Sequence, residues 1–221
     1  MRALVRLEKT GAARYISHLD LQRSFHRAIR RAGLPIAYSQ GFNPRMLVSY
    51  ATALSLGLES RCEIMELKLT KDVSPAFIME SLNLALPEGI RISGCRKALE
   101  KSQSLSSIIM RAGYEAAVFK DCSSKVKAFL GLESCPVEKR SKRGIQEVDI
   151  RPMVFELSFE NDPGEGGIIK MLLEHTPTSS LNPQLLLEAM EAPPPWRITR
   201  TGLYTLVNQQ TVDIWKGEGI I

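Results

Sequence analysis

A chain of 221 residues is long enough for one large domain or two small ones, each burying its own core. Its 44% hydrophobic and 24% charged residues are the proportions of a soluble globular protein. No apolar run approaches the ~20 residues of a membrane span, and the first residues lack the pattern of a signal peptide, so a cytoplasmic protein with no membrane partner is expected. There are 29 basic and 24 acidic residues, a net +5, and the six arginines and one acid between Arg14 and Arg45 account for the whole imbalance.

In chain order, residues 2–9 alternate, with Ala3, Val5 and Leu7 opposite Leu4 and Arg6, which predicts a strand. Ser17 with Asp20 three residues on forms a capping-box pattern, opening a helix over 18–32 that Gly33 and Pro35 end. On its wheel Leu21, Phe25, Ala28, Ile29 and Ala32 make an apolar stripe, and Arg23, Arg27, Arg30 and Arg31 make the opposite one. Like charges one turn apart repel by a few tenths of a kcal/mol, and only Asp20 relieves them.

A short strand over 36–39, the turn Gln40-Gly41-Phe42-Asn43-Pro44 and a β-prone stretch over 46–56 follow. Residues 62–69 alternate as a strand. Ser74-Pro75 starts a helix to Leu86 that buries Phe77, Ile78 and Leu82, and 90–95 is a strand. The order is β-α-β-β-α-β, that of a ferredoxin-like fold.

The serine-rich stretch 96–107 reads as a linker, after which the order recurs. A strand covers 108–119, Asp121 caps a helix to Leu130, and strand material from Val137 to Ile150 is interrupted by a basic turn over 139–144. Met153, Phe155, Leu157 and Phe159 share one face of the next strand. The turn Asn161-Asp162-Pro163-Gly164, a strand over 168–174, a helix from Asn182-Pro183 to Met190 and a closing strand over 196–207 complete the half, with one strand more than the template needs. Asn182-Pro183 echoes Ser74-Pro75, and Arg197-Ile198-Thr199 echoes Arg91-Ile92-Ser93. The expected fold is therefore α+β, two tandem ferredoxin-like domains over 1–97 and 108–207, joined by a linker at 98–107 and followed by a tail at 208–221.

No phosphate loop, dinucleotide fingerprint or nucleophile elbow is present. Cys62, Cys95, Cys122 and Cys135 are scattered, as are the three histidines, so buried free thiols are expected, with no metal site and no cofactor. His18, beside Tyr15, Ser17 and Asp20, is the one candidate acid or base for RNA cleavage, although its place on the apolar side of the wheel also suits packing. Residues 2–9 and 62–69 hold no aromatic residue, which disfavours base stacking on the first sheet in the manner of an RNA-recognition motif. Phosphate binding remains. Arg14, Arg23, Arg27, Arg30, Arg31 and Arg45 supply guanidinium groups, and Tyr38 and Phe42, with Asn43 in the same turn, are placed to meet an unpaired base.

The stretch RYISHLDLQRSFHRAIRRAGLPIAYSQGFNPRMLVSYATALSLGLES, with Val148-Asp149-Ile150-Arg151-Pro152 and Thr199-Arg200-Thr201, resembles a bacterial family of uncharacterised proteins linked to radical SAM enzymes. Its members are encoded beside such an enzyme or fused to its C-terminus. Arg45-Met46 stand where the family pattern has His-Pro, Thr52 and Ser55 replace usual prolines, and Glu66 stands for a usual aspartate. The resemblance implies an accessory role to a radical SAM partner. The chain has no cysteine triad for an iron–sulfur cluster. Charge and resemblance together lead to the expectation of a non-catalytic RNA-binding module that presents structured RNA, of the tRNA or rRNA class, to that enzyme. Two alternatives stand beside it. One is a protein-docking subunit without RNA contact. The other is a metal-independent endoribonuclease using His18, by fold analogy with CRISPR-repeat-processing enzymes.

Overall fold

The alternation over the first residues makes Arg2–Lys9 a strand, β1. In the computed structural model, which describes residues 1–99, 103–141, 144–161, 166–217 and 220, the chain divides into two units, Met1–Ile109 with Val212–Ile221, and Met110–Thr211. Strands and a few helices mix in both.

In the first unit β1 is followed by a 3-10 turn (Gly11–Tyr15), α1 (His18–Arg31), β2 (Val48–Tyr50), β3 (Glu59–Lys68), α2 (Pro75–Ala85), β4 (Ile90–Lys97) and a single-turn α3 (Leu105–Ile108). The strands pair antiparallel in the order β4-β1-β3-β2. Helices α1 and α2 cover one face, where Leu21, Phe25, Ile29, Ile78 and Leu82 meet Ala3, Val5, Leu7, Met65 and Leu67 in one core. Burying each large apolar side chain contributes about 1.5–3 kcal/mol. Gly33, with φ +63, ends α1 in a Schellman motif. Its N–H reaches the Arg30 carbonyl at 3.1 Å, and the Leu34 N–H reaches that of Ile29 at 3.3 Å.

The structure departs from the sequence pattern in several places. The strand over 36–39 reduces to isolated bridges, Ile36 with Leu69 and Tyr38 with Met46, because its partner changes from the end of β3 to the returning chain at Arg45–Met46 before either ladder extends. Of residues 46–56 only Val48–Tyr50 form a strand, paired with β3. After Ala51, whose N–H meets the Ile64 carbonyl at 2.9 Å, the chain leaves as a loop that buries Leu54 and Leu58 without any strand register. Phe77 is 51% exposed, since a helix starting at Pro75 aims Ile78 and Leu82 inward and turns Phe77 and Leu84 out.

The second unit contains β5 (Arg111–Val118), α4 (Ser123–Leu130), β6 (Pro136–Ser141), β7 (Gly144–Asp149), β8 (Val154–Asn161), β9 (Gly167–Glu174), α5 (Pro183–Ala189) and β10 (Arg197–Val207). Four of its strands pair antiparallel in the order β10-β5-β9-β8. The surplus strand belongs to a separate hairpin of β6 and β7, inserted between α4 and β8. Lys139, expected in a turn, pairs with Gln146 inside this hairpin. Lys142 and Arg143 of the expected turn lie outside the described residues, as do Asp162-Pro163-Gly164, Glu100–Ser102 of the expected linker, and Glu218, Gly219 and Ile221 of the tail. A bulge between Val154 and Glu156 shifts the inward face of β8, so Val154 and Leu157 are buried and Phe155 is turned out.

Two motifs of the resemblance hold this unit together. The Asp149 carboxylate accepts the N–H groups of Cys135 (2.8 Å) and Arg151 (3.0 Å) at the foot of the hairpin, and those bonds hold its pKa below the usual carboxylate value. Arg151 donates to the carbonyls of Leu130 (3.3 Å) and Leu132 (3.1 Å), a cation where the dipole of α4 is negative. Arg200 is 2% exposed and donates to the Tyr114 hydroxyl from Nε (3.3 Å) and Nη2 (3.2 Å).

After a turn at Asn208-Gln209, both with positive φ, comes β11 (Gln210–Asp213). The following residues pack on the first unit. Trp215 lies over Gly94 and stacks on the Arg96 guanidinium, 4.8 Å from its ring centre, and Arg96 donates to the Ile214 carbonyl at 3.3 Å. A Cβ at Gly94 would stand 2.8 Å from the indole, so only glycine admits the ring there. Among the described residues, no helix is long and apolar enough to cross a membrane.

Candidate nucleic-acid interface

The entry to α1 is set by a buried cation. Lys9 continues the core-facing series Ala3, Val5, Leu7 along β1 and is 1% exposed. Its ammonium donates to the carbonyls of Arg14 (3.2 Å) and Ile16 (2.8 Å), pinning the 3-10 turn to the strand end. Burial, opposed by nearby Glu63, lowers its pKa. Ser17 then caps the helix, accepting the Asp20 N–H at 3.2 Å while its hydroxyl donates to the Asp20 carboxylate at 2.7 Å.

Arg23, Arg27, Arg30 and Arg31 all lie exposed on the outer side of α1. Arg23 pairs with Asp20 at 3.0 Å, and Arg27 donates to the Ser24 hydroxyl at 3.2 Å. Arg31 donates to the Ala85 carbonyl at the end of α2, which ties the two helices together. The Arg30 guanidinium has no hydrogen bond or ion pair among the described residues. At 1.5 Å of rise per residue, Arg23 to Arg30 spans about 10 Å, enough to meet two successive phosphates. Arg14 stands apart from this row. It stacks on Tyr15, donates to the Tyr15 hydroxyl at 2.8 Å and pairs with buried Glu59 at 3.8 Å.

The turn after α1 is a closed finger. Ser39 donates its N–H to the Arg45 carbonyl (2.8 Å) and accepts the Arg45 N–H on its hydroxyl (3.0 Å). Gly41 turns the tip with φ +120. Phe42 is fully exposed at that tip, and Tyr38 is 44% exposed at its foot. Asn43 and Arg45 are exposed beside them, and the Arg45 guanidinium has no partner among the described residues. The finger emerges where the Ala37 N–H meets the Lys68 carbonyl at 2.7 Å, which is the end of β3. Since α1 runs back along the sheet to finish beside the start of β1, Arg30 and Arg31 lie at this same end of the unit.

His18 is half-buried at the first turn of α1. Its Nε2 accepts from the Gln22 amide at 2.9 Å, and its ring meets Tyr50 edge-on at 5.3 Å. Tyr50 has its hydroxyl buried without a partner among the described residues, and burial raises its pKa. Desolvation, with a smaller contribution from Arg30, lowers the pKa of His26 on the same helix. None of the four cysteines forms a disulfide, and Cys62 and Cys122 are buried. Burial pushes the Cys95 thiol up to about 11. Among the described residues no three His, Cys, Asp or Glu side chains are grouped to hold a metal ion.

A family model described as an uncharacterized protein conserved in bacteria (DUF2344) matches residues 2–183. The chain belongs to the DUF2344 family. The match takes in all of α1, the finger and the Asp149–Arg151 clamp, so these features of the DUF2344 protein lie in the family's own region. No curated protein matches the chain. Lys9 is the buried support of this candidate site that composition hides. Its signal is its parity with Ala3, Val5 and Leu7, which aims a lysine at the core.

Proposed function

We propose that this DUF2344 protein is an RNA-binding accessory module, without catalytic activity of its own, that presents structured RNA of the tRNA or rRNA class to a radical SAM partner enzyme in the cytoplasm. The observation that carries the RNA reading is the row Arg23, Arg27 and Arg30, exposed on one helix face with Asp20 as its only acid. Guanidinium groups pair with phosphate oxygens, and each neutralised phosphate releases counterions. The finger supports the same reading, since a fully exposed Phe42 beside Arg45 offers a stacking surface for an unpaired base. The partnership rests on the resemblance of residues 14–60 to the radical-SAM-linked family. In both units we read the split β-α-β order of the four-stranded sheets as ferredoxin-like, the second carrying the β6–β7 hairpin as an insertion.

Crosslinking in cells followed by sequencing of the bound RNA, with Arg23, Arg27 and Arg30 changed together to glutamine as the control, tests the proposal. A defined RNA set that disappears in the variant is the expected result. No enrichment over a non-binding protein overturns it. One observation favours a protein-docking role instead: Leu84 (84% exposed) and Phe77 (51%) stand on the outer side of α2, and Leu84 lines a groove of about 310 Å³ together with Arg31. Copurification of the enzyme after RNase treatment, from a protein with no RNA affinity, would select that reading.

A further inference from the structure

A cavity of about 350 Å³ opens near the foot of the finger, lined by Arg2, Ser49, Tyr50, Glu66, Lys68 and Ser104–Ser106. Its residues come from β1, β2, β3 and the start of α3. Arg2 faces Lys68, and Ser49 faces Glu66, in the strand register, so these four side chains share the sheet face opposite α1 and α2. Among the described residues, the only carboxylate of the lining is already used. Glu66 receives the Arg2 guanidinium in a fork, Nε to Oε1 at 3.0 Å and Nη2 to Oε2 at 2.6 Å, so its charge is neutralised and both oxygens are engaged. Arg2 spends Nη1 on the Leu99 carbonyl at 3.3 Å. By contrast, the Lys68 ammonium and the Ser49 and Ser106 hydroxyls have no hydrogen bond or ion pair among the described residues.

Lys68, Ser49 and Ser106 are exposed at the cavity mouth, and a hydroxyl can donate or accept, so the uncompensated Lys68 ammonium sets the sign of the ligand. A cationic ligand would be repelled by it. A tetrahedral oxyanion satisfies all three side chains together, taking charge-assisted bonds from the ammonium and neutral ones from the hydroxyls. We propose that this cavity is a phosphate-binding site, with Lys68 as the charged contact, Ser49 and Ser106 as hydroxyl donors, and the Arg2–Glu66 fork as a rigid wall. The phosphate belongs either to an RNA strand lying over this end of the unit or to a small phosphorylated molecule. The site does not depend on the arginine row of α1.

The test uses the full chain labelled with ¹⁵N. Inorganic phosphate is titrated against chloride at matched ionic strength, following the amides of Ser49, Lys68 and Ser104–Ser106. A second arm measures affinity for a short RNA. Lys68→Gln and Ser106→Ala are the variants, both at solvent-accessible positions, and the triple arginine variant is the control. Saturable shifts at those amides, weakened about tenfold or more by Lys68→Gln, as loss of a charge-assisted bond implies, and unchanged in the triple arginine variant, are expected. RNA affinity that falls with Lys68→Gln assigns the phosphate to RNA; RNA affinity that does not, with phosphate binding lost, assigns it to a small molecule. Absence of saturable shifts overturns the site even where RNA binding through α1 holds, while phosphate binding without RNA binding upholds the site and defeats only the RNA reading.

Discussion

Lys9→Met isolates what a buried ammonium does for the entry to α1. The substitution keeps the apolar stem and removes two bonds, to the Arg14 carbonyl at 3.2 Å and the Ile16 carbonyl at 2.8 Å. The first acceptor keeps a donor, because the Gly57 N–H reaches the Arg14 carbonyl at 3.0 Å. The second has no other donor among the described residues, and a buried acceptor left alone costs about 1–3 kcal/mol. Glu63, 5% exposed, also loses a nearby cation. Against this, the desolvation of Lys9 that lowers its pKa is relieved. The net expectation is a loss of about 2–3 kcal/mol, a large part of the ~5–15 kcal/mol typical of a native protein. Urea unfolding followed by circular dichroism reads it. With a slope of about 2 kcal/mol per molar, the midpoint falls by about 1 M. Amide shifts at Ser17–Leu21 should move in the same variant. A midpoint within about 0.2 M of the wild type would mean that the ammonium merely tolerates its burial, and the account of the helix entry would be wrong.

Three further outcomes are expected. Changing Arg23, Arg27 and Arg30 to glutamine should reduce the slope of log affinity against log salt by about 2–3 units, measured by fluorescence anisotropy on RNA; an unchanged slope would place the phosphate contacts elsewhere. Gly94→Ala should force the Trp215 ring off the sheet, shifting its emission to the red in a Trp196→Phe background, whereas an unaltered spectrum would show that the ring is not held there. His175, pushed down to about 4 by burial and then by Arg200, binds its proton more readily in the unfolded chain. Its stabilising contribution is therefore complete above the ordinary histidine value and is lost as pH falls towards 4, so His175→Gln should lose less stability than wild type over that window in denaturant titrations.

Local chemistry was legible wherever one residue acts on its immediate neighbours. Ser17, Ser74 and Asn182 cap the helices whose starts they mark, and each accepts a backbone N–H of the first turn. The arginine face of α1 was legible for the same reason, since helical period alone decides it. The pairing within 36–56 is not legible because apolar content without alternation does not specify a register, and only Val48–Tyr50 form a strand, the rest making isolated bridges. The strand material of the β6–β7 hairpin was legible, but its separation from the main sheet was not, nor the pairing of its basic run, which looks like a turn. The cavity could not be read at all: residues 2, 49, 66, 68 and 104–106 become neighbours only through the antiparallel register of β1, β2 and β3. Burial of Lys9, Glu59 and Glu63 likewise depends on contacts that composition cannot foresee.

The docking of Trp215 on Gly94 and Arg96 has a consequence for the order of assembly. The Arg96–Ile214 bond joins residues 118 positions apart, and the whole of Met110–Thr211 is synthesised between them. During translation the first unit therefore waits for its last piece until the second unit has been made. Loop closure over so long a segment is slow compared with the local contacts of α1 and α2, so the indole should report the final step of folding. Until it arrives, the part of β4 around Gly94 and Arg96 that it covers stays open to solvent.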